Sequence, residues 1–303
     1  MGGITEPALR FLHYAALLGL FGWTAFRLVG LRDLDWSPHG RRNGGLLGLA
    51  IAAPFLSLAL MLVSIAAMMG APITALDWPM TEAMIVGTDM GWAFLVRAVL
   101  LVVGMCALAV PDRNKTATLI AVVCFAGALI TLGWSGHAAA TEGALGMFHR
   151  LNNGVHLIAA GLWLGAIGWF LQLTVKAHRQ PGSVAVSQLL KVMQRFAPLG
   201  VGLVVVVAVT GLINSHLIFG LENSAAVLVT PYGFLLAAKL ILVACMLALG
   251  AHNARVSRRY ASSDADPRTM LPTLRRSLSA ELALAVGVTG LIAVFGMMSP
   301  MMM

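Results

Sequence analysis

The chain has 303 residues, of which 59% are apolar and only 11% charged, with mean hydropathy +0.87. Soluble domains carry about a quarter charged residues, so a soluble globular domain is excluded, and 32 glycines without a period and three cysteines exclude collagen and a disulfide scaffold. Net charge +8 points away from nucleic acid and towards membrane topology, because the basic residues lie between apolar runs.

In chain order the apolar runs predict eight spans, near 9–29, 44–69, 91–110, 116–135, 153–173, 196–217, 233–251 and 282–298. Each is about the 20 residues a helix needs to cross a bilayer core. The fold class is therefore all-α, a polytopic membrane bundle forming one domain over 1–303. The first run is of span length and has no basic flank before a cleavage site, so it reads as a span, not a secretion signal. The segment 70–90, apolar with Asp77, Glu82 and Asp89, is expected to fold back over one face. Residues 183–196 are expected to lie along the opposite interface ahead of Pro198. Residues 252–279 form an Arg-rich loop suited to anionic lipid.

Sixteen of the 20 Lys and Arg, from Arg27 to Arg276, fall on one side of this arrangement; Arg10 and Arg150 fall on the other, and Arg97 and Lys239 fall inside spans. The positive-inside rule places both termini outside, the periplasmic side where the membrane is a bacterial inner one. Trp78, Trp92 and Trp134, and Trp36 and Trp169 on the other side, fit aromatic belts.

Orientation sorts the eight histidines. His39, His178 and His252 sit among basic inner loops and read as solvated. His13, His137, His149, His156 and His216 gather at the outer level. Singly, each reads as an interfacial ring; together they suggest a cavity, because ionisable groups in spans usually face the bundle interior. His149, Asn152 or Asn153, and His156 share a face if their helix begins early, yet two turns, about 10 Å, separate the rings, so each needs partners from another segment.

Methionines gather at the outer ends too, at Met68, Met69, Met80, Met84 and Met90, and at Met297, Met298, Met301, Met302 and Met303. Thioether with imidazole suits copper, and Cu(I) more than Cu(II); the plain alternative is that Met fills gaps. Cys106, Cys124 and Cys245 are single residues without a CxxC pair and read as small buried hydrophobes. Arg97 and Lys239 are expected to pair with Glu82, Asp89, Glu142 or Glu222, or to hold an anion. Glu281 is placed at the inner start of the last span, near Arg275 and Arg276.

The stretches 10–27 (RFLHYAALLGLFGWTAFR), 135–138 (SGHA), 155–167 (VHLIAAGLWLGAI), 195–211 (RFAPLGVGLVVVVAVTG), 232–253 (YGFLLAAKLILVACMLALGAHN) and 274–282 (LRRSLSAEL) resemble the copper resistance protein D family, in order and over nearly the whole chain. Ala166 and Ala197 depart from the pattern. The resemblance implies an inner-membrane copper protein that moves copper from periplasm to cytoplasm and receives it from a small periplasmic carrier of the CopC type. It carries His13, His137 and His156 as ligands, with Lys239 and Glu281 in place; His149, His216 and Met298 come from placement alone. No GxxxxGK[ST] motif is present, so an ATP-driven pump, and an enzyme in general, is not expected. The competing reading is a membrane cytochrome with haem b held by two of these histidines and its propionates by Arg97 and Lys239.

Overall fold

The computed structural model describes residues 5–31, 44–110, 114–180, 186–261 and 267–300. The described residues form helices and no strand. Among the described residues, eight helices are long and apolar enough to span a membrane. They are α1 (Thr5–Gly30), α2 (Gly44–Met69), α4 (Asp89–Ala109), α5 (Lys115–Ile130, continued by a 3₁₀ turn to Trp134), α6 (Gly143–Arg179), α7 (Val186–Phe219), α9 (Pro231–Ala261) and α10 (Leu271–Phe295). Two short helices, α3 (Trp78–Gly87) and α8 (Ser224–Leu228), lie in the connections. In hydrocarbon only intrahelical bonding satisfies the backbone, which is why these sequences settle as helices despite Pro54 in α2 and Pro198 in α7. Starts are marked by side chains: the Thr88 hydroxyl accepts from Gly91 N at 3.0 Å, and Asn114 Oδ1 from Ala117 N at 3.0 Å.

Alternating helix direction gives the bundle a histidine end and an arginine end. The 37 residues of α6 reach about 55 Å, well beyond a bilayer core. It therefore carries His149 at one extremity and Lys176 and Arg179 at the other. Its seam with α1 is glycine against glycine: a Cβ on Gly165 would stand 2.0 Å from the Gly22 carbonyl oxygen, and one on Gly22 would stand 2.2 Å from that of Gly161. Only hydrogen fits there, so the two backbones touch. The seam ends in aromatics: Trp23 stacks on Trp169 at 4.4 Å, and the Trp169 indole N–H donates to the Trp23 carbonyl at 2.9 Å. Trp169 is thus a buried packing residue, not a belt residue. Phe26, Phe170 and Phe196 meet edge to face beside it.

Three expectations are corrected. Residues 186–196 do not lie along an interface: α7 runs unbroken through Pro198, and Leu189, Leu190 and Met193 are buried against Phe26 and Phe170. Segment 70–90 does fold, with α3 capped by Asp77 Oδ1. Its methionines serve packing, Met69, Met84 and Met90 lying against Met61, Ile65 and Phe94, while Met68 and Met80 are exposed. The third concerns Glu281. Because α10 starts at Leu271, this residue lies ten positions inside the helix, and its carboxyl accepts from Asn253 Nδ2 of α9 at 3.1 Å in place of an arginine.

Candidate functional site

At the histidine end, α1, α6, α7, α9, α10 and the segment 135–138 enclose a cavity of about 180 Å³. Three of the five outer histidines, His137, His149 and His156, lie on its wall with Asn153 and Lys239. Gly136, at φ 73°, takes the left-handed turn that a side chain would oppose and brings His137 onto this wall.

Each ring is held by a partner. His156 Nδ1 lies 2.9 Å from the Thr210 hydroxyl of α7, whose own hydrogen goes to the Val206 carbonyl at 2.5 Å. Thr210 must therefore accept, so His156 carries its proton on Nδ1 and keeps its lone pair on Nε2. Gly211 leaves space beside this ring, a Cβ there standing 3.5 Å from its Cε1. His149 Nδ1 lies 3.0 Å from the Thr141 hydroxyl. His137 donates Nε2–H to the Met298 carbonyl at 3.1 Å. Burial, with the nearby Arg10 charge adding to it, holds the His137 imidazole below its ordinary pKa, although the backbone carbonyls it bonds oppose this. A neutral imidazole tied at one nitrogen is how metal-ligating histidines are oriented. Among the described residues, however, no three His, Cys, Asp or Glu side chains converge as a preformed metal cluster.

The other candidates lie elsewhere. His13 is fully buried, and neither ring nitrogen has a hydrogen-bond partner; Arg97 and Arg10 are the charges that act on it, and it does not line the cavity, although its neighbour Tyr14 does. His216 is exposed at the end of α7, 3.9 Å from Glu222. Met298 contributes its carbonyl, while its side chain packs against the cluster of Phe219, Val227, Tyr232 and Phe295. Met301, Met302 and Met303, with Trp36 and His39, fall outside the described residues. The cysteines are free, Cys106 and Cys245 exposed and Cys124 buried.

Neither intramembrane cation pairs with an acid among the described residues. Arg97 donates Nε–H to the Thr131 hydroxyl at 2.8 Å and Nη2–H to the Thr131 carbonyl at 3.0 Å, so it closes the end of α5. Lys239 has its ammonium 5.8 Å from the Phe295 ring centre, with no carboxylate among the described residues within ion-pair distance. Glu142 is exposed at the start of α6, and Glu222 faces His216. The sequence reading missed Thr210 and Asn214, which sit one turn apart in an apolar run of α7; Asn152 Nδ2 donates to both, at 2.9 Å to the Thr210 carbonyl and 2.8 Å to Asn214 Oδ1. Two polar residues at i and i+4 in such a run were the available signal.

The N-terminal domain model of copper resistance protein D-like proteins matches residues 1–147, and the copper resistance protein D model matches 190–295. Copper resistance protein D of Pseudomonas syringae pv. tomato is 33% identical over 311 residues, covering 97% of this chain and 96% of the relative. The chain belongs to the copper resistance protein D family. Inner membrane protein YebZ of Escherichia coli K12 is 27% identical over 84% of each chain. Copper transport protein CutJ of Bacillus subtilis 168 is 29% identical over 57% of this chain and 29% of its own length. No solved structure matches the chain. The protein is thus a multi-pass helical membrane member of a copper-handling family.

Proposed function

We propose that this protein is an inner-membrane copper importer that takes Cu(I) from the periplasm into the histidine cavity and passes it through the bundle towards the cytoplasm. The observation that carries the reading is the His156 ring: its Nδ1–H is engaged by Thr210, its Nε2 is left as a lone pair, and His149 and His137 share the wall. Imidazole nitrogens in a small, largely apolar chamber suit a soft monovalent ion better than hard cations that require oxygen. The basic bias of the opposite end supports a cavity that faces the periplasm. There a small carrier of the CopC type is the source of the cargo in this reading. Lys239 repels a bare cation, so the ion enters with an anionic companion or displaces the ammonium from the wall.

Haem b finds no support here. Cofactor pockets run from about 300 Å³ upward, and the chamber has about 180 Å³. The deciding test is a Cu(I) competition titration on the purified protein and its His156→Ala variant, followed by copper uptake into reconstituted vesicles. Equal affinity in both proteins, or vesicles that take up no copper, would overturn the proposal.

A further inference from the structure

A second, larger cavity of about 740 Å³ opens in the arginine half of the bundle, between α6, α7, α9 and α10. The same four helices thus line both chambers. Between them on α9 and α10 lies an apolar layer in which Met246 and Ala285 are buried, with Leu282 and Val288 against them; Ile167 and Trp163 of α6, in the same cluster, line the inner chamber. On α10 the inner chamber begins at Glu281 and the outer one at Thr289, eight residues or about 12 Å apart. Two chambers separated by one thin layer are the layout of a path that opens to one side at a time.

Glu281 lies on the wall of the inner chamber and is 2% exposed. Asn253 Nδ2 donates to its Oε2, and Trp163 stands beside the carboxyl. No basic group among the described residues is within ion-pair distance of it. Asn253, itself 4% exposed, keeps its Oδ1 buried without a partner on the same wall. One oriented carboxyl and one orphaned acceptor form a pole that is short of positive hydrogen. The other charged groups on the walls are Arg255 and Arg258, both on α9; α6 and α7 contribute none. A carboxylate so placed is costly as a bare ion and is relieved by binding a proton. Cu(I) is a poor match for two hard oxygens.

We propose that the inner chamber is a proton-exchange site, in which Glu281, oriented by Asn253, holds a proton and releases it to water at the arginine end as a cation crosses the Met246 layer. The cation's identity rests on the copper reading; the proton site does not. In the exchange the carboxyl O–H breaks and the proton passes to water at the arginine end; once the cation has left, the carboxylate is reprotonated from water on the histidine side, so each cycle carries one proton across with the cation, and charge and atoms balance.

The test is labelling of the full-length protein in lipid vesicles with dicyclohexylcarbodiimide, which adds to protonated carboxyls in apolar sites and remains whole on the residue as an N-acylurea. Peptide mass spectrometry should find Glu281 modified in preference to the exposed Glu222, with labelling falling as the medium is taken from about pH 6 to about pH 9. Glu281 labelled no more than Glu222, or labelled equally at every pH, overturns the proton site. The coupling is read separately, from a pH-sensitive dye sealed in vesicles given Cu(I). Glu281→Gln should lose the copper-linked proton signal while retaining Cu(I) affinity at the histidine cavity, and Glu281→Asp should keep part of the signal. A Glu281→Gln protein that moves protons like wild type overturns the coupling. Failure of copper binding with intact Glu281 labelling would sink only the copper reading.

Discussion

His156 of α6 and Thr210 of α7 are joined at 2.9 Å, and the threonine hydroxyl, already committed to Val206, fixes which imidazole nitrogen faces the cavity. Removing an outer partner of this kind lowers metal affinity about 10- to 100-fold. Thr210→Val should therefore weaken Cu(I) binding by about tenfold, and His156→Ala by more. Both are measured by competition with a chromophoric Cu(I) chelator. Thr210→Ser, which keeps the hydroxyl, should bind like wild type.

His13 gives a contrasting outcome. Its ring is buried off the cavity wall and its nitrogens are unbonded, and a buried polar group left unsatisfied costs about 1–3 kcal/mol. His13→Leu should hold Cu(I) as tightly as wild type at the cavity and unfold at a higher temperature in detergent. A large loss of affinity would show that His13 reaches the ion.

Arg97 holds the end of α5 through two bonds to Thr131. Arg97→Ala should lower stability by about 2–3 kcal/mol, the scale of hydrogen bonds from a charged donor. Arg97→Lys, which lacks the planar fork, should recover only part of this in thermal unfolding.

The glycine seam predicts a steric result. Gly165→Ala would drive a methyl into the Gly22 carbonyl and should cost about 1–3 kcal/mol or more. Gly48→Ala on α2, with nothing within 4 Å of the added carbon, should be neutral or stabilising. Melting temperatures in one detergent compare the two.

The pH dependence follows from His137. Its folded pKa lies below the ordinary imidazole value because burial penalises the cation. The neutral ring therefore contributes stability that is fully present above the unfolded value of about 6.5, and that is lost as pH falls through the lower folded value. Cu(I) binding, which also needs the neutral ring, should persist into mildly acidic medium and then fail. His137→Ala should flatten the pH profile of stability below the ordinary imidazole range.

The spans were legible because an apolar run of bilayer length admits one backbone solution. The span expected near 153–173 starts earlier, at Gly143, and only that early start puts His149 and His156 on one helix, where their i, i+7 spacing can align them. What sequence did not reveal was direction around the helix axis. His13 and Tyr14 are neighbours in the chain, yet only the tyrosine lines the cavity, since a step of one residue turns a helix by about 100°. His216 was grouped with the others by depth alone, and depth does not separate an exposed ring from an enclosed one. The pairing of Arg97 with Thr131 was hidden because one acceptor is a helix-end carbonyl, which every sequence possesses, and the other a hydroxyl 34 positions away in the chain.

The cavity draws His137 from the segment matched at 1–147, Lys239 from that matched at 190–295, and His149 and His156 from α6 between them. Neither matched half owns the chamber. Two separately made fragments, cut after α6, would have to find each other in the bilayer before any ion could be held, and affinity would then depend on how crowded that membrane is.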